Sequence, residues 1–357
     1  MSDHLDAQAA FSGTRAVDPR HVLDATALEA WLAANVEDYA GPVEVRQFKG
    51  GQSNPTYELV TPAKSYVLRR KPPGALLASA HAVDREFAVI SALYAQGFPV
   101  ARPFALCTDD NVLGSMFYVM DKVEGRIFWD LKLPGLSPEE RQAIWFEQVD
   151  TLAALHRLEP AAIGLGDYGR PGNYFGRQIA RWTKQYRASE IEPVPAMDRL
   201  IEYLPETLPA EGPTRIVHGD FRLDNMILDS ASPKVRAVLD WELSTLGDPM
   251  ADFSYLLISY AIPSSLRNGL LGADLEALGI PSIDQLAERY GEKTGFGRPQ
   301  NLDWLLSYNL FRLAAICQGI GGRVRDGTAA SDHAKAMAAQ VGPLSEAAWA
   351  FALKAQA

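Results

Sequence analysis

The sequence has only two cysteines in 357 residues, Cys107 and Cys317, each in apolar surroundings and in no CxxC or Cys/His spacing. That excludes a disulfide framework or a thiolate metal site, and reduced, buried thiols are expected. Positive charge is also in deficit: 34 Lys and Arg stand against 44 Asp and Glu, a formal net charge of −10. A nucleic-acid footprint normally has the opposite balance, so no nucleic-acid partner is expected. No run of 18 apolar residues occurs, and no membrane span is expected. The N-terminal stretch MSDHLDAQAAFSGTRAVD lacks the basic start and apolar centre of a signal peptide. These absences together predict a soluble, cytoplasmic protein. No internal repeat or low-complexity segment is found. The chain does have apolar content, 47% of its residues, which is ample for a large core in one bilobal unit or two domains.

The most informative stretch is IVHGDFRLDNMILD, residues 216–229, followed by VLDWE at 238–242. Asp220 stands two places after His218, Asn225 five after Asp220, and Asp240 fifteen after Asn225. Apolar runs at 214–217, 226–228 and 235–239 read as short buried strands. The polar trio therefore falls at strand ends and on the loop between them. Phosphoryl transfer needs such a set: one Asp to orient the acceptor hydroxyl and accept its proton, and an Asn and another Asp to hold Mg²⁺ on nucleotide phosphates. Mg²⁺ is a hard ion that prefers oxygen ligands. Asp220 is thus the candidate base, and Asn225 and Asp240 are the candidate metal ligands. Arg222, inside the loop, can offset charge on the transferring phosphoryl group or on Asp220. Glu242 either touches a water of the metal's outer shell or is a solvated charge. His218 is expected to brace the loop rather than titrate.

The spacing resembles the catalytic loop and metal-binding Asp of the kinase superfamily. HGDFRLDN stands where protein kinases carry H-R-D-x-x-x-x-N, and DWE stands where they carry D-F-G. With GDP at 247–249 and Asp252 following, the H-G-D form is similar to the aminoglycoside phosphotransferase and choline kinase branch, whose members phosphorylate small molecules. Only eight residues separate Asp240 from Asp248, where a protein kinase needs a long segment ending in A-P-E to dock a peptide. A small-molecule acceptor is favoured.

The resemblance implies an α+β, bilobal, protein-kinase-like fold: a small sheet-plus-helix N-lobe, a larger mostly helical C-lobe, and an active site in the cleft between them. It implies ATP and Mg²⁺ as cofactors. It aligns Arg69, in YVLRR, with the strand Lys that contacts the phosphates, and Glu86 with that cation's helix partner. Arg in place of Lys keeps the charge and adds a planar fork suited to phosphate. Lys71 is an alternative contact, although Pro72 and Pro73 put it at the strand's exit. The loop at 49–54, with Gly50, Gly51, Ser53 and Asn54, is expected to cover the phosphates through backbone N–H groups or the Ser53 hydroxyl. The backbone of Met120, Asp121, Lys122 and Val123 would form the hinge against adenine, with Met120 as a gatekeeper-type packing residue. Asp252 would tie down the catalytic-loop backbone. Two glycine patterns are read as imitations. Gly164, Gly166 and Gly169 match G-x-G-x-x-G but follow a helix rather than a strand, and 322–328 resembles a P-loop without its Lys.

In organisation, a tail at 1–24 precedes a nucleotide-binding lobe at 25–121 and a catalytic and acceptor-binding lobe at 122–357. Asp24 or Thr26 caps a short helix running to Asn35. Strands are expected at 43–48, 56–60 and 65–70, a helix at 80–96 and a strand at 112–120, in the order β-β-β-α-β. The capping box Ser137-Pro138-Glu139-Glu140 opens a helix ending near Leu158. Further helices are expected at about 174–187, 197–208, 249–261, 282–294, 301–323 and 331–354.

For the acceptor, Arg298, Arg312, Arg323, Arg325 and Lys335 occur with Trp304, Tyr308 and Phe311, and Arg177 and Arg181 occur with Trp182. They fit a pocket for an anionic acceptor such as an acid or a CoA thioester, or else cations on solvated helix faces. The segment YVLRRKPPGALLASAHAVDREF resembles the kinase-like domain of the acyl-CoA-dehydrogenase-associated subgroup. That implies a hydroxy acid or hydroxyacyl-CoA as acceptor and a separate acyl-CoA dehydrogenase in the same pathway. Two rival readings stay open: an aminoglycoside kinase proper, and a nucleotide-binding pseudokinase that serves as an interaction module.

Overall fold

The computed structural model describes residues 13–19, 22–49, 54–72, 82–266, 268–327 and 332–356. The chain divides into two compact units. The first comprises Met1–Asp130, Ala161–Tyr168 and Leu223–Ser244; the second comprises Leu131–Pro160, Gly169–Arg222 and Thr245–Ala357.

The first unit is built on a six-stranded antiparallel sheet: β1 (Thr14–Arg15), β2 (Glu44–Phe48), β3 (Thr56–Val60), β4 (Ser65–Arg70), β5 (Pro103–Cys107) and β6 (Phe117–Asp121), in the spatial order β1-β2-β3-β4-β6-β5. The period-two alternation of strands decides its two faces. Tyr57, Leu59, Tyr66, Leu68, Phe117 and Val119 point to one face and share a core with Leu28 and Leu32 of the Ala25–Asn35 helix. Arg69, one residue out of phase with Leu68, falls on the other face beside its cross-strand partner Tyr118. The Val83–Ala95 helix packs against β5 and β6 and buries Val83, Glu86, Val89, Ile90 and Leu93, a three-and-four spacing that lines one helical face. The unit also holds the antiparallel hairpin Met226–Leu228 with Val235–Val238. Short 3-10 turns flank it, Leu223–Asn225 on one side and Trp241–Leu243 on the other.

The second unit is mostly helical. Its axis is the Leu302–Arg325 helix, buried on several sides, which packs against Val341–Ala355, Tyr174–Ser189 and Met250–Leu257. Pro138–Arg157 opens with the Ser137/Glu140 capping box and runs along Ile283–Thr294, which opens with its own box at Ser282 and Gln285. The strands Arg215–Val217 and Thr245–Gly247 pair antiparallel.

The expected strand order needs correction. β1 and β5 add to it, and β5 starts at Pro103 and is only half-buried over most of its length, so it has no clear alternation. The expected strand at 112–120 begins later, at Phe117. Residues Asp110–Leu113 form a helical turn because the Asp109 side chain caps the Asn111 N–H and Gly114 closes the turn at positive φ. The expected helix at 331–354 is two, Asp332–Ala338 and Val341–Ala355. Pro343 sits in the first turn of the second, where its missing N–H costs nothing. Gly164, Gly166 and Gly169 lie on a loop after the 3-10 turn Pro160–Ile163, and Gly322 lies inside a helix. Cys107 and Cys317 are free and buried. Among the described residues no helix is long and apolar enough to cross a membrane.

Candidate active site

In the first unit, Glu86 is the hub. Its carboxylate is buried, and it pairs with Arg69 Nε at 2.7 Å. It also accepts hydrogen bonds from Asn54 Nδ2 at 2.9 Å and Tyr118 Oη at 3.1 Å. Burial pushes the Glu86 carboxyl up to about 7, against the pull of Arg69. Arg69 has the opposite balance: burial would lower its pKa most, but Glu86, Tyr118, Asp240 and Glu242 together outweigh that and hold the guanidinium above its usual value. The guanidinium reaches further, with Nη2 at 2.8 Å from Asp240 Oδ1 and 3.3 Å from Glu242 Oε2. Its planar fork serves carboxylates from a helix and from the DWE turn at once, which a point-charge Lys cannot do in the same way. Lys71 lies past the end of β4, and its N–H donates to the Met116 carbonyl.

The hairpin sets the candidate metal ligands. Met226 pairs with Val238, and Leu239 N donates to Asn225 O at 2.8 Å, so Asn225 and Asp240 flank the same end of the ladder. Trp241 is buried, donates Nε1 to Val238 O at 3.0 Å and meets Phe98 edge to face, which anchors the turn that presents Asp240 and Glu242. Asp240 has φ +66, a left-handed conformation that a non-glycine residue adopts at some cost and that clusters at functional sites. The donors are the side-chain oxygens of one amide, Asn225, and one carboxylate, Asp240, and this set fits Mg²⁺ shared with phosphates and water. Glu242, left open by the sequence between outer-shell contact and solvated charge, is an Arg69 partner.

Of the expected phosphate-covering loop, Asn54 is described and its side chain is committed to Glu86. Gly50, Gly51 and Ser53 lie outside the described residues. Met120 pairs in register with Val67 and Pro103. Asp121 N donates to Arg102 O, and its carboxylate accepts from Lys64 Nζ at 2.9 Å. Val123 follows the end of β6; with Asp121, Lys122, Tyr94, Val100 and Arg102 it lines an open recess of ≈ 400 Å³.

In the second unit, the Asp252 carboxylate accepts the backbone N–H groups of His218 at 2.5 Å and Gly219 at 2.8 Å. His218 is buried, and its Nδ1 accepts from Asp220 N at 3.2 Å. Gly219 stands at φ +85, which glycine takes without cost. The Asp220 carboxylate accepts from Tyr255 Oη at 2.8 Å on Oδ1 and lies 3.3 Å from Arg222 Nε on Oδ2. Arg312 donates Nη2 to Gly219 O at 2.6 Å and packs over the rings of Tyr255 and Trp182. Tyr255 and Arg312 were not legible as loop partners, because no motif spacing links them to Asp220. The basic residues expected to gather for an anionic acceptor are largely engaged locally. Arg298 bonds Asp284, Arg325 pairs with Asp326, and Arg177 donates to backbone carbonyls including that of Arg170.

Residues 44–289 match the model of the phosphotransferase enzyme family, APH. Acyl-CoA dehydrogenase family member 10 of Mus musculus is 42% identical over 344 residues, which cover 96% of this chain and 32% of that protein. The chain thus spans about a third of that curated relative's length. A crystal structure from Ralstonia eutropha JMP134, provisionally described as an aminoglycoside phosphotransferase, is 49% identical with a TM-score of 0.87, covering 93% of this chain and 99% of that one. Spectinomycin phosphotransferase, solved with ADP and spectinomycin, is 12% identical with a TM-score of 0.60 over 94% of this chain and 99% of its own, a likeness of fold alone. The chain belongs to the phosphotransferase enzyme family and has its protein-kinase-like fold.

Proposed function

We propose that the chain is an ATP- and Mg²⁺-dependent phosphotransferase acting on the hydroxyl of a small molecule. One observation carries this reading: a single guanidinium, Arg69, joins the helix carboxylate Glu86 to the candidate metal ligand Asp240. An extended network of this kind aligns a phosphate-binding cation with the metal site, which is what phosphoryl transfer demands, since its catalysis is mostly positioning and charge stabilisation. In this reading Arg69 meets the nucleotide phosphates, and Asn225 and Asp240 hold the metal. Bound there, Mg²⁺ would neutralise charge developing on the phosphates. Asp220 orients the acceptor hydroxyl and takes its proton, and Arg222 screens the negative charge beside it. The likeness to acyl-CoA dehydrogenase family member 10 supports an acceptor drawn from acyl-CoA chemistry, and a hydroxy acid or hydroxyacyl-CoA is the class proposed. The description of the Ralstonia structure favours a second reading, an aminoglycoside acceptor.

Titration calorimetry with ATP, with and without Mg²⁺, tests the nucleotide side. Wild-type protein is expected to bind ATP more tightly with Mg²⁺ than without, and Asp240→Asn to lose that difference. A Mg²⁺ dependence that survives in Asp240→Asn refutes the metal assignment.

A further inference from the structure

Both oxygens of the Asp220 carboxylate are engaged within the second unit, and the two contacts differ in kind. Arg222, near Oδ2, has 39% of its side chain exposed. Water screens a pair with so exposed a member, so this contact is the weaker of the two. Tyr255, which donates to Oδ1, has its ring packed under the Arg312 guanidinium, 5.0 Å from the ring centroid. Arg312 is only 7% exposed and is itself fixed by its bond to Gly219 O. Burial, reinforced by the Asp220 charge, raises the Tyr255 phenol above its ordinary value, so it keeps its proton and stays a donor.

The origin of Tyr255 matters as much as its contact. It stands three residues after Asp252 on the Met250–Leu257 helix, so the two side chains share a face. Asp252 grips the loop backbone at His218 and Gly219, and Tyr255 grips the side chain of the next residue. One helical turn thereby sets both the position of the loop and the rotation of its carboxylate.

We propose that Tyr255 is a positioning residue for the base: it fixes Oδ1 and the carboxylate plane, and so assigns Oδ2 as the oxygen that meets the acceptor hydroxyl. This rests on the phosphotransferase reading above. In the step itself, the acceptor oxygen forms its bond to the γ-phosphorus as the bond from that phosphorus to the ADP oxygen breaks. The acceptor proton passes to Oδ2. Tyr255 keeps its own proton throughout, and Arg222 yields its place at Oδ2 to the acceptor.

The test is Tyr255→Phe, which removes one oxygen and retains the ring under Arg312. Transfer from γ-labelled ATP to water and to a panel of hydroxy acids, hydroxyacyl-CoAs and aminoglycosides is measured beside wild type, with ATP affinity and thermal melting. A carboxylate free to rotate is misplaced by up to an ångström, so kcat is expected to fall roughly tenfold to hundredfold. KM for ATP should stay within about twofold and the melting temperature within a few degrees, a split that a merely structural role does not produce. Unchanged kcat in Tyr255→Phe, or equal losses of kcat and ATP affinity, would overturn the assignment while leaving the enzyme reading intact. A wild-type chain that transfers label to nothing, water included, sinks both together.

Discussion

Replacing Arg69 by Met strands Glu86. The Glu86 side chain is 3% exposed and loses an ion pair at 2.7 Å. Removing one partner of a buried pair costs about 3–5 kcal/mol, because the survivor keeps its desolvation penalty without compensation. Two features put this case at the low end. Asn54 Nδ2 and Tyr118 Oη still donate to the carboxylate, and a carboxyl already pushed up to about 7 can protonate. Asp240 and Glu242 lose an attraction too, but their side chains are 36% and 25% exposed and water replaces most of it. The expected loss is about 3 kcal/mol, or a melting temperature lower by roughly 4 °C for a chain of this length. Urea and thermal melts of Arg69→Met, Glu86→Leu and the double variant measure it. The double variant leaves no stranded charge, so it should recover most of the loss, with a coupling of about 2 kcal/mol. A single Arg69→Met variant within about 0.5 kcal/mol of wild type, or a double variant whose cost is the plain sum of the two, refutes the hub role of Glu86.

Substitutions at two other positions are informative. Asp252→Ala unmakes two charge-assisted bonds to loop N–H groups and should cost about 2–4 kcal/mol in urea melts; Asp252→Asn, which keeps one acceptor oxygen, should cost less, and equal costs would contradict the bonding assigned to it. Gly125→Ala would place a Cβ 2.1 Å from the Leu228 carbonyl oxygen and 2.6 Å from Ile227 Cγ2, so urea unfolding should register a loss of about 1–3 kcal/mol, and no loss would mean the Met226–Leu228 strand yields freely.

The chemistry-bearing spacing was legible because it is local. His218, Asp220, Asn225 and Asp240 sit on one loop and one hairpin, and short, mostly apolar runs mark the strands that fix them. The capping box at Ser137 was equally direct, since Ser followed three residues later by Glu satisfies helix N–H groups whatever surrounds it; the box at Ser282 and Gln285 carries the same signal but was not singled out. Arg69 and Glu86 were legible by alignment, but the reach of Arg69 to Asp240 spans 171 positions and no sequence period encodes it. Tyr255 and Arg312 read as apolar-helix packing and as a surface or pocket cation, because a helix pattern says which residues share a face and not what faces them. β5 escaped for a different reason: it lacks the buried-exposed alternation by which strands are found. Of the basic residues collected near the C-terminus, Arg298 and Arg325 each have an acidic neighbour that accounts for them, as the solvated-cation alternative expects.

The central claim is transfer of the γ-phosphoryl group with Asp220 as base. It is tested most directly by incubating wild type and Asp220→Asn with γ-labelled ATP, Mg²⁺ and the acceptor panel, and by measuring ATP binding for both. Labelled product from one acceptor class, reduced about a hundredfold or more in Asp220→Asn while ATP binding holds, is the expected result. Full transfer by Asp220→Asn, or ATP binding by wild type with no labelled product from any acceptor, would contradict it.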